Sequence, residues 1–249
     1  IEELGVVFDD YPKPTSLIEY LISMNEGDEF IVLDFFAGSG TTAHAVANVN
    51  AKFSSKKISF INIQLPEPCK EGTKAHAMGY ENISKIAIER IKRVLEKDMA
   101  ASEVDGKDFG MKVLKLDRSC FKHWSSEAEN INQLQQNLLD VIENVHDNVQ
   151  DGDILLEILL KAGFEPTESI IQLDLCGKSV FSIANGALLI CLEDQLNSEL
   201  IDAIIELEPM QFICLDKGFQ GNDQLKANTA QAFKARSQNS EAEMVFKVV

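Results

Sequence analysis

The residues best suited to chemistry are nine in a row, Asp34-Phe35-Phe36-Ala37-Gly38-Ser39-Gly40-Thr41-Thr42. They read as a tight turn from a buried strand into a helix, in which Gly38 and Gly40 let a ligand touch bare backbone. With Ala43 they satisfy G-x-G-x-x-[GA], the pattern of dinucleotide sites. A Walker phosphate loop is excluded, because no lysine follows the glycines. Two details argue against a dinucleotide. The next strand ends Asn62-Ile63-Gln64, where such a site has an acid for the ribose, and the nearest acid is Glu67. Asp34 directly precedes the loop, where an ammonium group is welcome and a pyrophosphate is not. S-adenosylmethionine carries that ammonium and has no phosphate. A dinucleotide, or a turn with no ligand at all, remains the alternative.

The elements around this loop follow from apolar spacing. A helix starts after Pro12-Lys13-Pro14, with Ser16 and Glu19 as a capping box and Leu17, Ile18, Leu21 and Ile22 as its buried stripe. Ile31 to Phe36 is a continuous apolar run, expected of a parallel strand covered on both faces. Thr41 to about Ala51 reads as a small-residue helix packed on it, Ile58 to Gln64 as a second strand and Asn82 to Lys97 as a helix burying Ile83, Ala87, Ile91 and Val94. Ala101 to Gly110 is rich in turns and separates two regions, 1–110 and 111–249. In the second region the pattern predicts a strand at Met111 to Leu116. It also predicts an amphipathic helix at Ile131 to His146 with a narrow 3-4 seam, and a buried helix at Asp153 to Lys161 ended by Gly163. Val180 to Ala184 and Ala187 to Leu192 flank Asn185-Gly186, a hairpin signal. A helix at Ser198 to Glu206, a strand at Gln211 to Leu215, a helix at Gln224 to Ala235 capped by Asp223 and a strand at Met244 to Val248 complete the chain. The fold class is α/β: part of a Rossmann-like sheet, then an α+β module.

The 249 residues are 45% hydrophobic and 25% charged, values of a globular chain and not of a disordered or collagen-like one. The net charge of -17 argues against a protein that coats DNA. The imbalance is local: residues 1–100 hold 11 basic and 15 acidic side chains, and 125–210 hold two lysines against seventeen acids. That acidic stretch is unsuited to phosphates and fits subunit contact. Five scattered cysteines form no C-x-x-C, so neither a disulfide framework nor a zinc site is indicated and a reducing cytoplasm fits. No apolar run reaches the length of a membrane span and no signal pattern opens the chain. The first residue is Ile1, as expected of a piece of something longer.

Asp34-Phe35-Phe36-Ala37-Gly38-Ser39-Gly40-Thr41-Thr42, preceded by Tyr11-Pro12-Lys13-Pro14, resembles the cofactor motifs of amino-group DNA methyltransferases, in the order of their β class. Phe60 to Pro68, the Ile86 to Val94 helix and Asp216 to Asp223 with Lys226 and Asn228 resemble the modification subunit of type III restriction-modification systems, so that the likeness spans essentially the whole chain. The resemblance implies S-adenosylmethionine as cofactor and methyl transfer to adenine N6 in double-stranded DNA. Asp34 would meet the methionine ammonium, and Phe36, Ala37 and the Gly38-Ser39-Gly40 backbone with Thr41 and Thr42 would line the cofactor. Lys13 and Pro14 would sit near the methionine end, and Gln64 or Glu67 would reach the ribose. It further implies a restriction subunit with helicase and nuclease activity as partner, and a homodimer.

The family's catalytic motif is [DNS]-P-P-[YFW], which stacks and hydrogen-bonds a flipped base. The six prolines are Pro12, Pro14, Pro66, Pro68, Pro166 and Pro209, and no two are adjacent. The chain alone is therefore expected to transfer no methyl group, and no residue of it is assigned a catalytic role. An assembly module without cofactor is the competing function. Lys70 and Lys74, on a loop, are the candidates for DNA phosphates. Lys52, Lys56, Lys57, Arg90, Lys92 and Arg93 could join one basic face but read better as solvated surface. His44, His76, His123 and His146 lack metal-ligand spacing, Phe121 and Trp124 read as a packing corner, and the Asp216 to Asp223 loop reads as structural and not as a calcium loop.

Overall fold

The computed structural model describes residues 2–101, 110–122, 144–239 and 243–249, and the chain divides into two compact units, Ile1–Lys115 and Leu116–Val249. The first unit runs α1 (Thr15–Ser23), β1 (Glu29–Asp34), α2 (Thr41–Lys52), β2 (Lys57–Asn62), α3 (Lys74–Ala77) and α4 (Ile83–Ala101). β1 and β2 are parallel, with Val32 opposite Phe60 and Asp34 opposite Asn62. A parallel pair needs a crossover, and α2 is that crossover. Its small residues let it lie close to the strands: Ala45, Val46 and Val49 bury against Ile22 of α1 and Ile58 of β2, with Phe30, Val32 and Phe60 at the margin.

Several local expectations are corrected here. The apolar run of β1 is covered on one face only: burial alternates, and Ile31 and Leu33 are 54% and 56% exposed, with Ile61 of the next strand and Ile63 just after it also exposed. An unbroken apolar run shows that both faces are apolar; it does not supply the second layer. β1 stops at Asp34 and β2 at Asn62, so Phe35, Phe36, Ile63 and Gln64 lie beyond the strands. The capping box of α1 does not form. Pro14 is the N-cap without a side-chain bond, and Glu19 instead accepts from Asn48 Nδ2 at 2.7 Å and pairs with Lys52 at 2.5 Å. Leu17 and Leu21 are exposed, which narrows the stripe to Ile18 and Ile22. α4 runs on to Ala101 and buries Ile86, Ala87, Arg90, Ile91 and Val94, with Ile83 only partly covered. The strand expected at Met111 to Leu116 is irregular backbone.

The second unit contains α5 (Asp151–Lys161), β3 (Ile170–Leu175), β4 (Lys178–Ile183), β5 (Leu188–Cys191), α6 (Ser198–Glu206), β6 (Gln211–Cys214), α7 (Asp223–Asn239) and β7 (Val245–Val248). The sheet order is β3-β4-β5-β6-β7, antiparallel through β5 and parallel from β5 to β7. The module thus joins an antiparallel meander to a β5-α6-β6-α7-β7 alternation. β5 is buried on both faces: Leu189 and Cys191 pack with Leu200, Ile204, Phe212 and Phe233, while Leu188 and Ile190 pack with Ile154, Ile158, Leu159 and Ile213. Burial raises the pKa of the Cys191 and Cys214 thiols, so both are inert core residues.

β3 is an element the sequence reading missed. It joins β4 through Cys176-Gly177, both at positive φ (54° and 74°), the geometry of a two-residue hairpin turn. The Asn185-Gly186 hairpin is present with a longer loop, since Ile183 faces Leu188 across Ala184 to Ala187. The cap of α7 is Asn222, whose Oδ1 accepts from the Leu225 N–H at 3.0 Å, and not Asp223. Of the helix expected at Ile131 to His146, residues 131–143 lie outside the described residues. Val145 and His146 are not helical, and Val145 bridges to Phe121. Trp124 and His123 also lie outside the described residues, while the Lys161 ammonium sits 4.8 Å from the Phe121 ring centre. Among the described residues no helix is long and apolar enough to cross a membrane.

Candidate functional site

Asp34 closes β1, and its carboxylate laces the strand end to the first turn of α2. One oxygen accepts from the Phe36 N–H at 3.0 Å and the other from the Thr42 hydroxyl at 2.5 Å. The turn between them is drawn in by two further bonds, from Gly40 N–H to the Ala37 carbonyl at 2.8 Å and from Ala37 N–H to the Ile63 carbonyl at 3.1 Å. Gln64, just past β2, reaches back: its Oε1 accepts from the Gly38 N–H at 2.7 Å, and its Nε2 donates to Glu67 Oε1 at 3.2 Å. The fold therefore gathers Asp34, the glycine loop, Thr42, Gln64 and Glu67 at the carboxyl ends of a parallel strand pair, the position where open α/β sheets bind ligands.

The two glycines do different work. Both have positive φ, 52° at Gly38 and 76° at Gly40. A Cβ on Gly38 would meet nothing nearer than the Phe36 carbonyl at 4.0 Å, so this position stays open to a visitor. A Cβ on Gly40 would lie 3.3 Å from Ile91 and 3.4 Å from the Ala87 carbonyl, so here the close approach is that of α4 and not of a ligand. Ala37, Ser39, Thr41 and Thr42 are buried, whereas Phe36 is 82% exposed and tilted against Phe35 at 5.1 Å.

Pro14 caps α1, and among the described residues no hydrogen bond or ion pair joins the exposed Lys13 to the loop. Lys70 and Lys74 are exposed; the backbone N–H groups of Lys74 and Ala75 donate to Asp9 at 3.0 and 3.1 Å. Several of the other cations are already held in ion pairs. Lys52 pairs with Glu19, Lys56 with Asp28 and Arg93 with Glu89. Arg90, considered for that face, is 2% exposed and lies against the loop.

Three features of the site went unread in the sequence. Arg90 donates to the Ser39 hydroxyl and the Thr41 hydroxyl at 2.9 Å, and its Nε donates to His44 Nδ1 at 3.3 Å. His44, a bystander by spacing, is pushed down to about 4, first by burial and then by the Arg90 charge, and is neutral at pH 7. The third is Asn62, opposite Asp34 in the ladder: both polar atoms of its side chain are buried without a partner. The signals were present, since Arg90 shares a four-residue row with Ile86 and Val94, and Asn62 ends the strand where an acid was sought.

This arrangement suits a ligand with a cationic, phosphate-free end. The acid at the loop repels phosphate, Gly38 leaves room, and a buried amide beside Asp34 has donor and acceptor capacity to spare. In sequence comparison, residues 9–86 match the N6_N4_Mtase family model, described as DNA methylase. Among individual proteins, the chain is 40% identical over 111 residues to the type III restriction-modification enzyme EcoPI Mod subunit of Escherichia phage P1, covering 45% of this chain and 17% of that subunit. It is 43% identical over 104 residues to the EcoP15I Mod subunit of Escherichia coli, 42% of this chain and 15% of that subunit. A type II methyltransferase, M.KpnI of Klebsiella pneumoniae, is 34% identical over 85 residues, 34% of this chain and 20% of that enzyme. The likeness to type III modification subunits read from the motifs is thus found independently, over less than half of the chain and about a sixth of those subunits.

Proposed function

We propose that this chain carries the methyl-donor site of a DNA methyltransferase. The intact protein transfers a methyl group from S-adenosylmethionine to the N6 amino group of adenine in double-stranded DNA, as the modification subunit of a type III restriction-modification system. The observation that carries this reading is the Asp34 carboxylate at the head of a glycine loop with no lysine, tied to Phe36 N–H and the Thr42 hydroxyl. When bound, S-adenosylmethionine supplies an electrophilic methyl group. Asp34 holds the ammonium of its methionine portion, and the Ala37 to Thr41 backbone lines it. Gln64, Glu67 and the unpartnered Asn62 amide serve the hydroxyl groups of its ribose. Phe36, exposed beside the loop, offers a face for the adenine. Lys13 and Pro14 belong to the methionine end.

The first unit is the cofactor-bearing part of a Rossmann-like sheet, and the second makes subunit contacts, with a second copy and with a restriction subunit. Lys70 and Lys74 meet DNA phosphates. With no adjacent prolines in the chain, the base-binding step is not assigned to any of its residues.

Calorimetric titration of the chain with S-adenosylmethionine, S-adenosylhomocysteine and NAD, repeated after Asp34→Ala, tests the reading. The expected result is saturable binding of the first two, none of NAD, and a loss of at least about tenfold in the variant, the worth of a hydrogen bond to a charged group. Binding of none of the three would favour the assembly module without cofactor.

A further inference from the structure

Arg90 is a buried cation whose hydrogen-bond partners among the described residues are all neutral. It is 2% exposed, and its bonds run to the Ser39 carbonyl (3.3 Å), the Ser39 hydroxyl (2.9 Å), the Thr41 hydroxyl (2.9 Å) and His44 Nδ1 (3.3 Å). Among the described residues no carboxylate lies within ion-pair distance of it. A guanidinium only donates, so His44 Nδ1 is an acceptor and its proton sits on Nε2; the imidazole contributes no counter-charge either. A buried, hydrogen-bonded but uncompensated charge is costly and is expected to have an anion to answer. Among the described residues all of its side-chain hydrogen bonds go to one short stretch, Ser39 to His44, the end of the glycine loop and the start of α2. The Asp34 carboxylate bonds different groups of the loop, the Phe36 N–H and the Thr42 hydroxyl. The loop therefore carries a positive charge behind Ser39 and Thr41 and a negative one at Asp34.

We propose that Arg90 is a positioning residue of the donor site and sets its preference for a zwitterionic amino-acid group. It holds Ser39 and Thr41 in place and makes that stretch take the carboxylate, while Asp34 takes the ammonium. This rests on the reading of the glycine loop as the methyl-donor site. The hydroxyl groups of Ser39 and Thr41, each accepting from Arg90, are polarised as donors toward the ligand side. The backbone N–H groups opening α2 add to the same field.

The test compares S-adenosylhomocysteine with its decarboxylated analogue, which keeps the ammonium, on the full chain by calorimetry. The wild-type chain is expected to prefer the carboxylate-bearing ligand by about tenfold or more. Arg90→Gln should shrink that preference to about twofold or less while weakening the decarboxylated analogue little, whereas a purely structural Arg90 would weaken both ligands alike. Arg90→Lys, which keeps the charge, should retain part of the preference. If Arg90→Gln does not fold, Ser39→Ala removes one link between Arg90 and the loop and must narrow the preference as well. An unchanged preference in a folded variant, or none in the wild-type chain, overturns the proposal and leaves the donor site standing. Failure of the wild-type chain to bind S-adenosylhomocysteine at all overturns the donor site itself, and this proposal with it.

Discussion

Placing alanine at Gly38 and, separately, at Gly40 should divide the loop into a part that serves a ligand and a part that serves packing. Both residues sit in the left-handed region, at φ of 52° and 76°, where a side chain costs about 1–2 kcal/mol. For Gly38→Ala that strain is the whole effect, because the new methyl would meet nothing nearer than 4.0 Å. For Gly40→Ala the methyl lands 3.3 Å from Ile91 and 3.4 Å from the Ala87 carbonyl, inside ordinary contact distance, and α4 must give way. Overpacking of that kind adds about 1 kcal/mol or more. Gly40→Ala is therefore expected to destabilise the first unit by about 2–4 kcal/mol and Gly38→Ala by about 1–2 kcal/mol. Urea unfolding followed by circular dichroism gives the difference, and hydrogen exchange of the α2 amides assigns it to the first unit, as a two-unit chain requires. Donor binding should show the reverse order, with the Gly38 methyl standing in the open position and Gly40→Ala affecting the site through α4. If Gly38→Ala proved the more destabilising of the two, the contact of α4 with the loop would not be as described.

Three further outcomes follow from single residues. His44 is held at about 4 against an ordinary 6.5, so the unfolded imidazole binds its proton more tightly than the folded one. Stability should then fall as pH drops from about 6.5 to about 4, by about 2 kcal/mol after allowance for partial exposure, and a His44 resonance titrating near 6.5 would contradict this. Glu157 is pulled up by burial but drawn further down, to about 2, by Lys161, the Ser119 hydroxyl and the Cys120 N–H. Its contribution is present above about 4.5 and lost as pH falls through about 2. Glu157→Gln should cost about 1 kcal/mol at pH 7 and flatten the acid limb of a stability profile. Asn62→Val removes two unsatisfied polar atoms from a strand position that suits a branched side chain, so stability should hold or rise by about 1 kcal/mol in urea unfolding; a clear loss would mean that the amide has a partner.

Much of the site was legible because its parts are local. Asp34, Gly38, Ser39, Gly40, Thr41 and Thr42 are within nine residues, and a strand, tight turn and helix are the economical way to build such a segment. Gln64 and Glu67 were legible as polar residues following the second strand, although that strand stops at Asn62 and their bonding to each other and to Gly38 depends on the register of β2 against β1. Arg90 was read as surface because charge is the usual mark of exposure. Only the docking of α4 on α2 places its guanidinium beneath Ser39 and Thr41. Capping followed the same division: Asn222 and Asp223 are equally good caps by type, and the geometry of the preceding turn chose Asn222.

The sequence by itself determined the periodic elements, the glycine turn, the absence of a proline pair and the kind of charge at the head of the loop. These depend on residue type and on spacing within one turn or strand. The tertiary structure decided which faces are covered. Ile31 and Leu33 are as apolar as Val32, yet only Val32 has helices to pack against. It also decided that β3 pairs with β4 and that Glu19 reaches Lys52 in place of its own helix end. Burial and long-range partners come from elements distant in the chain meeting in space, and a local pattern carries only the capacity for them.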